Sequence, residues 1–299
     1  NTNFMAAVVG ASLVNESQLP SGVSPYLEIE RDLLNSLAKH EKSSVTLTGQ
    51  KLNDAALRVL TYAIQRSMSV SVINMADTGL TNDSITLFKT IIAESKSLCT
   101  LDLSNNMIGD HGMMSLRDAF ASNTNLDHLY LQFNQIGWKG AMTISNAIQT
   151  GNKRILSIDL SNNPIGDLGA THIARALWET KDQSMLETLR LNNCGIGDPG
   201  CAALAHALSQ CPNFKVLHVN DNQFGAKGSR MLENAMGGQG GVTGGVSDII
   251  QPGDETPEKV VVMMRTSMPP EERLPHIPAP SSSTEDEPPK ADGKPGAQS

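Results

Sequence analysis

The feature that most limits what this chain can fold into is an internal repeat. LDLSNNMIGDHG begins at Leu101 and a near copy, IDLSNNPIGDLG, begins at Ile158. Alignment on the apolar positions yields seven copies, starting at Val45, Ile73, Leu101, Leu129, Ile158, Leu189 and Leu217, with spacings of 28, 28, 28, 29, 31 and 28 residues. Duplicated chemistry does not need seven copies. A solenoid does, because a single short unit cannot bury its apolar face whereas stacked units can.

Each copy changes hydrophobic period halfway. Leu101 and Leu103 alternate with Asp102 and Ser104, the period of a short strand, whereas Leu116, Ala119 and Phe120 recur at helical spacing. The helical triplet returns as Ile144, Ala147, Ile148, then Ile173, Ala176, Leu177, then Leu204, Ala207, Leu208 and Leu232, Ala235, Met236. One unit is therefore strand, tight loop, helix, and stacking predicts a parallel sheet with helices outside. Asn106, Asn134, Asn163 and Asn222 stand where the strands end, and their amides can bond backbone groups left over by the turn, with Cys194 taking that place once. The glycine pair of IGDxG predicts a positive φ or a close approach. The first two copies lack both glycines, so their loops are expected to be looser or differently shaped.

The pattern LxxLxLxxN/C followed by xIGxxG and a full helix resembles the leucine-rich repeat family, in its ribonuclease-inhibitor-like form. The resemblance implies an α/β horseshoe with the parallel strands on the concave face and the helices on the outside, followed here by an extended C-terminal tail. The division expected from sequence is 1–41, an N-terminal extension with a capping helix; 42–236, seven repeats; and 237–299, a Gly-rich linker with a Pro-rich acidic tail. The capping helix is read in YLEIERDLLNSLAKH, with Leu27, Leu33, Leu34 and Leu37 on one side. In the tail, ten of the chain's fifteen prolines follow Gln251, and after Gly245 ten acidic side chains face five basic ones, so no independent core is expected there. The β-prone island KVVVMMR, with Val260, Val261 and Val262, is of the kind that adds to an exposed sheet edge or docks in a groove; the alternative is a short apolar spot in an unfolded tail.

Composition excludes several classes of function. The net charge is −8 and no long Lys/Arg run occurs, so neither a nucleic-acid partner nor an anionic membrane surface is expected. Met5 to Val14 is too short to span a bilayer and has no basic flank, which predicts no membrane insertion. Four cysteines without a CxxC pair fit an intracellular, cytoplasmic address. Scattered histidines without HExxH, no phosphate-cradling GxxxxGK[ST], and no GxSxG predict no metal, no cofactor and no enzyme.

The candidate sites are therefore protein-binding. In a horseshoe the residues between the buried strand positions face a partner, and most of these are small and polar. A stripe stands out among them: Asp102, Tyr130, Asp159, Arg190 and His218. An Asp159–Arg190 bridge would account for two of its members structurally. Trp138 occupies the loop position that holds Asp110, Asp167 and Asp198 in sister repeats; it is either an exposed anchor or folds back onto Phe133 or the adjacent loop. These features predict a non-catalytic scaffold that engages protein partners through concave face, ascending loops and tail, within a hetero-oligomeric complex. Similar repeat proteins serve ciliary and flagellar axonemes. The alternative, a small-GTPase regulator resembling Ran GTPase-activating proteins, is weakened by an acidic run of only EDE and by the absence of a match for the activating arginine.

Overall fold

The change of period within each copy is realised as a strand and a helix. In the computed structural model, residues 31–235 and 261–263 are described. Seven three-residue strands follow the repeat: β1 (Ser44–Thr46), β2 (Val72–Asn74), β3 (Thr100–Asp102), β4 (His128–Tyr130), β5 (Ser157–Asp159), β6 (Thr188–Arg190) and β7 (Val216–His218). They pair in parallel and in sequence order. The register joins equivalent positions throughout, so that Leu101 faces Leu129, Leu129 faces Ile158 and Ile158 faces Leu189. Each central strand residue is buried, and so is the apolar residue two places on (Leu103, Leu131, Leu160, Leu191).

The helices cover the back of the sheet: α1 (Arg31–Ala38), α2 (Asp54–Arg66), α3 (Lys89–Glu94), α4 (Asp110–Ser115), α5 (Arg117–Ser122), α6 (Trp138–Thr150), α7 (Gly166–Glu179), α8 (Asp198–Leu208) and α9 (Ala226–Ala235). The triplets at 116–120, 144–148, 173–177 and 204–208 are all buried, as is Leu232. Their small central alanines let each helix lie close to the strands. Burying a Leu or Ile contributes roughly 2–3 kcal/mol, so several per repeat suffice to drive stacking. Leu37 of α1 is buried and Leu33 and Leu34 pack partly against the same core, while Leu27 lies outside the described residues.

Two repeats depart from one full helix per unit. In the second, a 3-10 turn (Ser84–Phe88) precedes α3; in the third, Leu116 at φ −91° and ψ 0° separates α4 from α5. The first copy, despite its missing glycines, forms the regular α2, capped by Asn53 Oδ1 accepting from Ala56 N at 2.9 Å. An eighth strand, β8 (Val261–Met263), adds in parallel to the outer edge of β7, pairing Val216 with Val261 and His218 with Met263. The tail island thus meets an exposed edge, and that edge belongs to the same chain. Val260 lies outside the described residues.

Candidate protein-binding surface

The strand register brings the whole stripe together. Asp102 is paired with Tyr130, Tyr130 with Asp159, Asp159 with Arg190 and Arg190 with His218, all half-buried on one face of the sheet. Asp102 and Asp159 each use Oδ1 to accept the backbone N–H two residues on, from Ser104 and Ser161, at 2.9 Å. Burial raises the Asp159 carboxyl above the ordinary value; the Ser161 hydrogen bonds and Arg190 oppose this, while Asp102 adds to it. No Asp159–Arg190 ion pair forms. The Arg190 guanidinium donates instead to Ser157 Oγ at 3.4 Å. His218 is pushed down to about 4 by burial and by Arg190, so it is neutral at pH 7. His128 stacks parallel to Tyr130 with ring centroids 6.3 Å apart. Its Nδ1 and Gln132 Oε1 are buried without hydrogen-bond partners among the described residues.

Two ladders of side-chain hydrogen bonds build the loops at the ends of these strands. In the first, the asparagine amide bridges adjacent repeats, as its position at the strand end predicts. Asn134 Oδ1 accepts from Ile108 N at 3.0 Å, while its Nδ2 donates to Leu103 O and Leu131 O at 2.9 and 3.0 Å. Asn106, Asn163 and Asn222 make equivalent bonds. In the second, an acid or amide at the start of one helix caps the next. Asp110 Oδ1 accepts from Gly137 N and Gly140 N, Asp167 Oδ1 from Gly197 N and Gly200 N, and Asp198 Oδ1 from Gly225 N and Gly228 N, all at 2.7–2.9 Å. Asn82 does the same for Gly109 and Gly112. The glycines permit this close approach: a Cβ on Gly140 would lie 2.9 Å from Asp110 Oδ1. Sequence reasoning saw that this position favours a polar residue but not that the residue reaches into the following repeat; the recurrence of Asn82, Asp110, Asp167 and Asp198 was the available signal.

The fifth repeat lies where both ladders break. Its successor offers Cys194 instead of an asparagine, so Ile165 N bonds to Asn163 O at 2.8 Å; its predecessor offers Trp138 instead of an acid. Gly166 then takes φ +62°, donates to Cys194 O at 2.9 Å, and α7 begins one residue early. Trp138 is 39% exposed and does not stack on Phe133: its ring stacks on His172 of α7, centroids 6.2 Å apart, with Lys139 Nζ 5.5 Å from its centroid. Phe133, 55% exposed, holds φ +56° where sister repeats place Asn105, Asn162, Asn193 and Asp221.

Burial pushes the thiols of Cys194 and Cys201 up to about 12, which removes both as nucleophiles at neutral pH. Among the described residues no group of three or more His, Cys, Asp or Glu is placed to hold a metal ion, and no helix is long and apolar enough to cross a membrane.

A parallel sheet built from one short strand per repeat, backed by helices and stitched by an asparagine ladder, defines an α/β solenoid. The family model described as Leucine Rich repeat matches residues 94–116, 122–145, 151–174, 183–205 and 210–232, and these five matches together with the fold support a leucine-rich repeat protein similar to ribonuclease inhibitor. Domains of this family generally mediate protein–protein interaction. Mouse ribonuclease inhibitor is 28% identical over 29% of this chain and 18% of its own length; human NACHT, LRR and PYD domains-containing protein 13 is 31% identical over 28% of this chain and 8% of its own. The chain therefore spans less than a fifth of these curated relatives. Among solved structures, leiomodin-1 actin-binding site 2 is similar with 18% identity and a TM-score of 0.45, over 52% of this chain and 90% of that one. The yeast Rad7 and Elc1 complex gives 12%, 0.43, 66% and 55%.

Proposed function

We propose that this protein is a non-catalytic adaptor that holds a protein partner on the strand face of its solenoid while its terminal extensions engage neighbouring subunits of an intracellular assembly. The observation that carries this reading is the in-register stripe from Asp102 to His218. It sets an aromatic ring between two carboxylates, then a guanidinium and a neutral imidazole, on adjacent strands about 4.8 Å apart. Asp159 and Arg190 form no ion pair, so neither side chain is held in an internal bridge, and Tyr and Arg are the residue types that anchor interfaces. The buried thiols and the absence of a catalytic motif favour binding over catalysis. We divide the chain into a terminal extension and cap (1–41), the repeat domain (42–236) and a tail (237–299). The cytoplasm, and the ciliary or flagellar axoneme within it, is the setting that analogy with other leucine-rich structural subunits offers.

The test is native affinity purification of the full chain against Arg190→Glu and Tyr130→Ala, read by quantitative mass spectrometry. Adaptor function predicts a reproducible set of co-purifying subunits that both variants lose while remaining folded. An unchanged set in both variants would remove the stripe from the account.

A further inference from the structure

Of the seven repeats, the fourth breaks the scaffold's rules twice, and each time in favour of an exposed aromatic. At position 133 the backbone is left-handed in all seven repeats, where Gly49, Asp77, Asn105, Asn162, Asn193 and Asp221 tolerate it, and Phe133 adopts φ +56° with a bulky ring that does not. At position 138 the sister residues Asn82, Asp110, Asp167 and Asp198 cap the following helix, and Trp138 gives that contact up. Local rules broken without a compensating internal gain mark places where a sequence serves something other than its fold. Both rings keep substantial exposed surface: Phe133 is 55% and Trp138 39% exposed. Leu168, 61% exposed, follows in the next repeat, beside Gly169, whose added Cβ would lie 3.3 Å from Trp138 Cα.

The charge around the rings selects the partner. Lys139 sits with Nζ 5.5 Å from the Trp138 centroid and His172 stacks on the Trp138 ring. The flanking acids are engaged, since Asp110 and Asp167 each accept two backbone N–H groups. Among the described residues Lys139 has no ion-pair partner. In a chain of net charge −8 this loop offers exposed aromatic surface beside a free cation.

We propose that the Phe133–Trp138 loop of the fourth repeat is a docking point for a protein segment that carries an apolar anchor side chain next to a carboxylate. This rests on the adaptor reading and adds to the strand-face stripe a second contact of defined chemistry.

The test uses the full chain and three fluorescent dodecapeptides, each with a central Leu-Trp anchor flanked by Glu, by Lys or by Ser, read by fluorescence anisotropy, with melting temperatures measured in parallel. The Glu-flanked peptide should bind at least about tenfold tighter than the Lys-flanked one, and Lys139→Glu should reverse that order. The double reversion Phe133→Asn, Trp138→Asp should lower affinity about tenfold or more. Because it restores a favoured left-handed residue and a helix cap, it should leave the melting temperature unchanged or raise it by about 2–4 °C. A fall in melting temperature would make both rings structural. That result, absence of peptide binding, or binding without preference for Glu would overturn the proposal. Arg190→Glu should leave peptide binding unchanged, so loss of this loop's role is read separately from loss of the stripe's role in affinity purification.

Discussion

Asp167 spends one carboxylate oxygen on two backbone N–H groups of the following repeat, at 2.7 and 2.9 Å, and so couples neighbouring units through a single side chain. Asp167→Ala should therefore cost about 1–2 kcal/mol in urea unfolding, in the range of a lost helix cap, whereas truncating the exposed Asp182 should cost little. His218 carries a pH signature. Its folded value of about 4 lies below the 6.5 of an unperturbed histidine, so between these values the unfolded chain binds more protons. The corresponding stability is present above pH 6.5 and is lost as pH falls towards 4. The urea midpoint of the wild-type chain should drop more between pH 7 and pH 4.5 than that of His218→Gln, and equal drops would refute the assignment. Native thiol labelling at pH 8 should modify the half-buried Cys99 and Cys211 well before the buried Cys194 and Cys201. At this scale the asparagines were legible because their place at the strand end announces a backbone partner. The acid ladder was not, because each acid serves a helix about thirty residues away and nothing local marks its acceptor role.

Strands and helices were legible almost everywhere, since period 2 giving way to period 3.6 is repeated seven times and tertiary stacking enforces what short strands alone would not. The exceptions fall in the second and third repeats. The helix of the second repeat opens on a 3-10 turn whose first residue, Ser84, exchanges hydrogen bonds with Thr81. The third is divided at Leu116, whose sequence carries no breaker. The tail island was recognisable as strand-forming, but its partner was not, because any open edge offers the same row of backbone donors and acceptors. Pairing with β7 gives the repeat sheet an eighth strand. Val262→Pro removes a backbone donor from that strand, so amide exchange across Val216–His218 should accelerate while exchange across Thr100–Asp102 stays unchanged. Equal exchange in both strands would mean that β8 does not close this edge in solution.

For the whole molecule, repetition simplifies both folding and recognition. Each repeat touches its neighbours, so stability accumulates along the stack, and equivalent positions become lateral rows on one surface. A row of five dissimilar side chains, from Asp102 through Tyr130, Asp159 and Arg190 to His218, is thereby brought together from residues spread over 117 positions of sequence. The row could be read before any coordinates because the repeat alignment already contains its register; how its charges pair could not, because that depends on side-chain rotamers. The most direct measurement is hydrogen–deuterium exchange of the full chain, alone and with a subunit recovered by affinity purification. The adaptor account predicts protection on binding across β3 to β7 and the Phe133–Trp138 loop, with the C-terminal halves of α6 to α8 unaffected. Protection confined to those outer helices would contradict it.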